Sequence, residues 1–348
     1  MTVSEKSPAV VRPGFVIGCF AVLNFIIWTA TWHYFQLFLP LDPVPDVKRF
    51  STQILHALGG KPERVTVGLI IDSFQNFDVL HNNFIFNGSL WFCFDPRVVS
   101  AELLDSVTLV NGTVLERSKP YTQLLGDKLF MEYHIRAKFS SPMSYSGFPY
   151  DDHRLSLIIA HPSISAGEMI LDCASSDFAV HEDLENSGWQ EHSRVVEAGY
   201  LESQVQTPYT IIKTVSPAVL FVMNFRRTSM RMLTTLVIPM LLMFLTAMFS
   251  FSVPLEAGMK NFRFNFALAS ISGLIAFRYV IESQSPPGVS YFMISDKLFF
   301  LFLAVCVLIF FLHLTARMPI LRYAYGMVFS LHMLVGCLYI AILMGSLS

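Results

Sequence analysis

Three groups of residues in this 348-residue chain have types and spacings that could do chemistry, and the chemistry is electrostatic rather than catalytic. The first is the loop from Ser141 to Leu155, SPMSYSGFPYDDHRL, which sets the acids Asp151 and Asp152 directly after the aromatic residues Phe148 and Tyr150. The second is Arg278, a charge inside an otherwise apolar segment, with Glu282 one helical turn further on as its candidate partner. The third is the run HEDLENSGWQEH, which could bind Ca²⁺ or sense protons through His181 and His192, or be a solvated acidic loop. The five cysteines, Cys19, Cys93, Cys173, Cys306 and Cys337, have no metal-ligand spacing. Cys93 and Cys173 share the polar part of the chain and could pair or stay free. With no nucleophile, metal or phosphate motif, the chain reads as a non-enzyme with no cofactor.

The elements that must hold these residues follow from pattern. Pro142 and Pro149 restrict φ, Gly147 opens turn conformations barred to other residues, and the flanks YHIRAKF and RLSLIIA read as strands. The loop is therefore a hairpin with an aromatic tip, and such a tip calls for an apolar surface to dock on. Composition supplies one. Apolar residues make up 53% and charged residues 14% of the chain, and the mean hydropathy is +0.51, a membrane protein's balance with one polar domain. A net charge of −2 excludes nucleic acid as an expected partner.

Four regions emerge along the chain. Residues 1–40 read as an N-terminal membrane anchor or uncleaved signal, because no charge falls between Arg12 and Asp42 and the apolar run ends in Trp32, Tyr34 and Phe35. Residues 41–62 are a linker with a short amphipathic helix, VKRFSTQILHALGG, stopped by Gly59 and Gly60. Residues 63–226 alternate strand-like runs with turns at the spacing of an all-β sandwich. Residues 227–348 hold four charge-poor segments, Met232 to Leu255, Phe264 to Ile281, Leu298 to Ala316 and Tyr323 to Ser348, the pattern of a four-helix transmembrane bundle. Lys260, Arg263, Arg317 and Arg322 lie in linkers on one side and place it in the cytoplasm, with the β region outside.

The loop resembles the signature loop of the pentameric ligand-gated ion channel superfamily, the Cys-loop receptors, whose pattern is Pro followed by Phe-Pro-aromatic-Asp. The match falls on Pro142, Phe148, Pro149, Tyr150 and Asp151. Ser141 and Leu155 stand where animal receptors have the two loop cysteines, as in the prokaryotic branch. Pro239 in the first membrane segment, and the linker ESQSPPGVSYFMISDK ending at Asp296, are also similar to the family, and the likeness runs from about Val65 to the C-terminus.

The resemblance implies a subunit of a homopentameric, multi-pass channel in the bacterial inner membrane, with no nucleic-acid partner and a small-molecule, proton or ion ligand. It implies that Asp78 and Asp151 converge on Arg227, with Arg226 beside it, forming with Phe148, Pro149 and Tyr150 a gating interface. The alternative for the two arginines is a boundary pair meeting lipid headgroups. Counted from Arg263, the pore-facing positions are Asn265, Ala269, Ser272, Ala276, Tyr279 and Ser283, a stripe at helical spacing that also suits small-residue packing between helices. Phe264, Phe266, Leu268, Ile271, Leu274 and Ile275 are expected to point elsewhere. Ser272 replaces the family's mid-pore leucine, which leaves Tyr279 as the candidate gate, and Asn261 and Phe262 stand where cation channels carry an inner glutamate. An outer ring of Glu282 leans the reading toward cations unless Arg278 neutralises it. Ligand is expected between β-domains near Phe178, Tyr200 and Tyr209, aromatic residues that could equally be packing groups. The alternative function is a non-conducting membrane sensor or scaffold that keeps the fold.

Overall fold

In the computed structural model the described residues are 22, 25–27, 29–34, 36–38, 40–57, 61–181, 188–206, 209–253, 260–315 and 324–345. Most of the expected N-terminal anchor, Gly59 and Gly60, half of the acidic run, and the linker arginines Arg317 and Arg322 lie outside them. The chain divides into two units. One is Pro40–Tyr145 with Asp151–Thr228; the other holds Ser229–Ser348, Met1–Leu39 and the five loop residues Ser146–Tyr150.

The first unit is a sandwich-like pair of sheets. Its strands are β1 (Lys48–Arg49), β2 (Glu63–Asp78), β3 (Asn83–Phe94), β4 (Thr108–Leu109), β5 (Gly112–Arg117), β6 (Tyr121–Leu125), β7 (Lys128–Phe139), β8 (His153–Ala160), β9 (Met169–Asp172), β10 (Phe178–Val180), β11 (Trp189–Gln206) and β12 (Ile211–Arg227). Short helices α1 (Thr52–Ala57) and α2 (Ala101–Leu104) interrupt them. One sheet runs β1-β11-β12-β8-β4, and the other β10-β2-β3-β7-β5 with β6 added to β7 and β9 to β2. Alternation builds the core: Val65, Val67, Leu69 and Ile71 of β2 and Phe84, Phe86, Phe92 and Phe94 of β3 are fully buried.

Strands β8 and β12 are apolar on both faces, and the stretch expected to be a mere linker explains why. Val47 covers Ile158, Ala160, Ala218, Leu220 and Val222 on the second face of that sheet. The chain there is strand β1 paired to β11, and among its described residues Thr52–Ala57 is helical. Gly199 permits the pairing, since a Cβ at that position would sit 2.3 Å from the Lys48 carbonyl oxygen.

The second unit contains α3 (Met230–Phe249), α4 (Lys260–Gln284), α5 (Ile294–Thr315) and α6 (Ala324–Met344). Four helices are long and apolar enough to cross a membrane, over Met230–Ser252, Asn261–Gln284, Ile294–Leu314 and Gly326–Met344, and the second is the least apolar. Pro239 lies inside α3. The described residues between Val22 and Gln36 are helical, and Thr31 Oγ1 donates to the Tyr339 hydroxyl at 3.2 Å.

Candidate functional site

Strand register builds a buried charge cluster at the end of the β unit. His153 pairs with Phe225 across the β8–β12 ladder, so two residues outward Asp151 comes opposite Arg227, and Arg227 in turn pairs with Trp189 on β11. The Asp151 carboxylate accepts from Arg227 Nε at 3.1 Å and lies 3.0 Å from Nη2. The guanidinium rests 4.3 Å above the Trp189 ring, and the Arg227 backbone N–H donates to Asp152 at 3.1 Å. The period of two that sets Asp151 against Arg227 also brings in His153, whose Nε2 is 2.8 Å from Asp151 Oδ2.

The other His153 nitrogen meets a residue from far away in sequence. Nδ1 lies 3.2 Å from Asp42 Oδ2, and Asp42 also accepts from the backbone N–H groups of Ser144 at 2.6 Å and Arg154 at 2.5 Å. Asp42, Asp151, Asp152, His153 and Arg227 are all buried. An imidazole with a carboxylate oxygen at each nitrogen donates from both, which is the protonated form. Burial alone would push the His153 pKa down, but the hydrogen bond and charge of Asp151, and then those of Asp42, raise it to about 9. Burial likewise raises Asp151, and the charge of Arg227 and the hydrogen bond from His153 overcome it, holding the carboxyl at about 2.

Asp78 does not join this group. His81 takes its carboxylate at 2.8 Å and its other oxygen accepts the His81 backbone N–H, a local turn that satisfies the acid where the strand ends. Arg226 alternates to the opposite side of β12 from Arg227 and is half-buried. Where loop cysteines would stand, Ser141 Oγ donates to the Arg154 carbonyl at 3.2 Å and accepts from Ser156 N–H at 3.0 Å, so hydrogen bonds close the loop. Cys93 and Cys173 are free thiols.

Within the helical unit the loop tip has a definite seat. The first N–H groups of a helix have no partner within it. At the start of α5 those of Ile294 and Ser295 donate to the carbonyls of Ser146 at 3.1 Å and Phe148 at 3.0 Å. Phe148 is fully buried, its bond to Pro149 is cis, and the Tyr150 hydroxyl is 2.8 Å from that of Tyr339 on α6. In the same first turn Asp296 accepts from Met293 N–H and pairs with Arg278 of α4. Arg278 therefore has two acids, the expected Glu282 at 3.1 Å and Asp296.

On α4 the seven residues Asn265, Ala269, Ser272, Ala276, Tyr279, Glu282 and Ser283 are all exposed in the single chain, Tyr279 at 77%. The open face is wider than the expected stripe: Leu268 and Ile275 are exposed as well, whereas Leu274 is fully buried. Leu268, four residues before Ser272, and Ile275, three after it, flank the face rather than turning from it.

The expected ligand aromatics do not gather. Phe178 is a core residue of β10 with its ring 5.1 Å from Phe221, because strand alternation turns it inward. Tyr200 is buried on β11 and packs 5.4 Å from Phe50 of the covering segment. Tyr209, at the β11–β12 turn, is 97% exposed. Among the described residues no group of three or more His, Cys, Asp and Glu side chains is placed to hold a metal ion. Neither a protein-family model nor a curated protein matches the chain.

Proposed function

We propose that the chain is one subunit of a homopentameric ligand-gated ion channel of the prokaryotic Cys-loop receptor type, set in the bacterial inner membrane with its β unit outside. The observation that carries this reading is the open face of α4. Asn265, Ser272 and Glu282 on a membrane-length helix are costly against lipid and natural against water in a shared pore.

Ligand bound between neighbouring β units shifts them, and the buried cluster of Asp151, His153 and Arg227 keeps the base of each unit rigid during the movement. The signature loop passes the shift on through its two carbonyls to the first turn of α5. Asp296 in that turn holds Arg278, so the displacement reaches α4 in few contacts. Glu282 leans selectivity toward cations, tempered by its pair with Arg278.

Recording from reconstituted protein under ligand and pH screens tests this. Opening is expected in the parent and absent in Asp151→Ala at unchanged subunit number; silence of the parent under every condition would sink conduction. A non-conducting sensor of the same fold is favoured by one feature, the bulky Tyr279 on the pore stripe. Reversal potentials that follow ion substitution exclude that alternative.

A further inference from the structure

Residues 40–50 are fastened to the β unit at two points and lie open between them. The first fastening is Asp42. Its buried carboxylate accepts the N–H groups of Ser144 at 2.6 Å and Arg154 at 2.5 Å, one on each limb of the signature loop, and meets His153 Nδ1 at 3.2 Å. Pro40 bridges to Asp152 beside it. The second fastening is β1, where Lys48 and Arg49 pair with Tyr200 and Gly199, Val47 is buried on the sheet, and Phe50 packs 5.4 Å from the Tyr200 ring. Ion pairs from Lys48 Nζ to Glu202 at 2.7 Å and from Arg49 to Glu197 at 2.6 Å add to it.

The span between the fastenings is short and stiff. Pro43, Val44 and Asp46 are exposed and Pro45 is half-buried, so little of it is packed down. Pro43 and Pro45 fix φ there, and the Val47 N–H closes a tight turn onto the Pro45 carbonyl at 2.9 Å. From Asp42 to Lys48 the chain reaches at most about 20 Å. A segment that short and that rich in proline passes a pull on rather than absorbing it. What it holds is the hairpin β11–β12. Strand β8 supports β12 from Ala218 to Phe225, and beyond Tyr200 and Pro217 the ladder holds only β11 and β12 among the described residues, out to Gln206 and Ile211. Strand β1 grips β11 at that boundary, and Lys48 reaches past it to Glu202.

We propose that residues 40–50 are a strap that ties the β11–β12 hairpin to the signature loop, so that a shift of the hairpin changes the grip of Asp42 on Ser144 and Arg154. The two ends differ in kind, which gives the strap its direction. At β11 it is held by two ladder positions, one apolar plug and two surface ion pairs, contacts that a moving hairpin can strain one by one. At the loop it is held by a buried carboxylate whose oxygens are met by two backbone N–H groups and an imidazole, an arrangement that loses all its partners together when the carboxylate leaves. As a gating part the strap rests on the proposed channel function; as a tie within the β unit it does not.

The test reads amide hydrogen exchange in the full-length protein in detergent, not current, so its failure leaves conduction standing. Gly199→Ala sets a Cβ 2.3 Å from the Lys48 carbonyl oxygen and unseats β1 without touching Asp42. Exchange is expected to quicken about tenfold over residues 46–50 and, at the far end, at the Ser144 and Arg154 N–H groups, with β3 unchanged. Lys48→Gln, which removes the exposed pair with Glu202, is expected to give the same pattern at smaller size and serves if Gly199→Ala fails to fold. Four glycines inserted after Val44 slacken the span while keeping both fastenings. In that background Gly199→Ala, or Lys48→Gln in its place, is expected to quicken exchange at residues 46–50 and leave Ser144 and Arg154 protected as in the parent. The proposal is overturned if Ser144 and Arg154 keep parent exchange when β1 is unseated, if β3 quickens equally, or if the glycine insertion leaves the spread to Ser144 and Arg154 unchanged.

Discussion

His153 is the residue on which the buried cluster turns, since its two ring nitrogens join Asp42 to Asp151. Its pKa is raised from an ordinary 6.5 to about 9, so the stability it contributes is complete below about pH 6.5 and is lost as pH rises through 9. Asp151 is depressed from 3.8 to about 2, so its contribution is complete above about pH 4 and is lost as pH falls through 2. Melting temperature followed across pH is therefore expected to fall on the alkaline side of 6.5 in the parent and to fall less in His153→Gln. That substitution leaves two carboxylates facing a neutral amide and costs about 3–5 kcal/mol near pH 6. A parent and variant with the same alkaline slope would rule out a charged His153. Little of this was legible beforehand. Asp151 and Arg227 were nameable through a resemblance, but Asp42 lies 111 positions from His153, and nothing local marks it except its place in the turn LDPVPD. The spacing of Asp151 and His153, two apart at a strand's edge, was the one signal available. Asp78 misled because a nearby histidine satisfies it more cheaply than a distant arginine.

Among the elements, strands with clean alternation were legible and those without were not. The run KLFMEYHIRAKF coincides with β7, and NNFIFNGSLWFCFD extends one residue beyond β3 at each end. The 18-residue β11 carries no clean alternation, because exposed polar residues dilute it. The segment around Lys48 was misread as helix, since pairing across a glycine on β11 decides it and no local pattern does. For α4 every position of the stripe is exposed in the single chain, and the exposed face is wider than the periodicity implied: Leu268 and Ile275 are apolar by type but open by position. This sets an element-scale test. In a background with the native cysteines replaced, single cysteines at Ser272 and Ala276 are expected to react with a water-soluble thiol reagent in the membrane-inserted protein. A cysteine at the buried Leu274 on the same helix is expected to stay unmodified. Equal labelling of all three would place no aqueous path along this face. At the start of α5, Tyr150→Phe removes the hydroxyl contact with Tyr339 and is expected to cost about 1 kcal/mol in thermal unfolding while leaving the loop carbonyls on the helix.

For the whole molecule, the exposed face of α4 has a composition that constrains how copies assemble. Its exposed positions repeat every seven residues in three rows, with Asn265, Ser272 and Tyr279 in the centre. Ala269, Ala276 and Ser283 form one flank, and Leu268, Ile275 and Glu282 the other. A seven-residue repeat is the period at which helices stay in contact along their length by supercoiling around one another. One flank is small and the other carries two branched apolar residues, so the two are complementary to each other rather than each to itself. Complementarity of that kind suits a head-to-tail contact, which closes into a ring where the rotation between copies permits; in the proposed pentamer the polar centre row lies on the axis. The expected native mass in detergent is about five times the 39.3 kDa of the chain, the ring size of the proposed channel class. Ala276→Phe fills the small flank and is expected to shift the protein to smaller species. Ala304→Phe, an equally large change at an exposed position of α5, is expected to leave the mass unchanged. A parent protein that runs as a single chain, or an Ala276→Phe variant that assembles like the parent, would remove the ring and with it the pore, because Asn265 and Ser272 would then have only lipid to face.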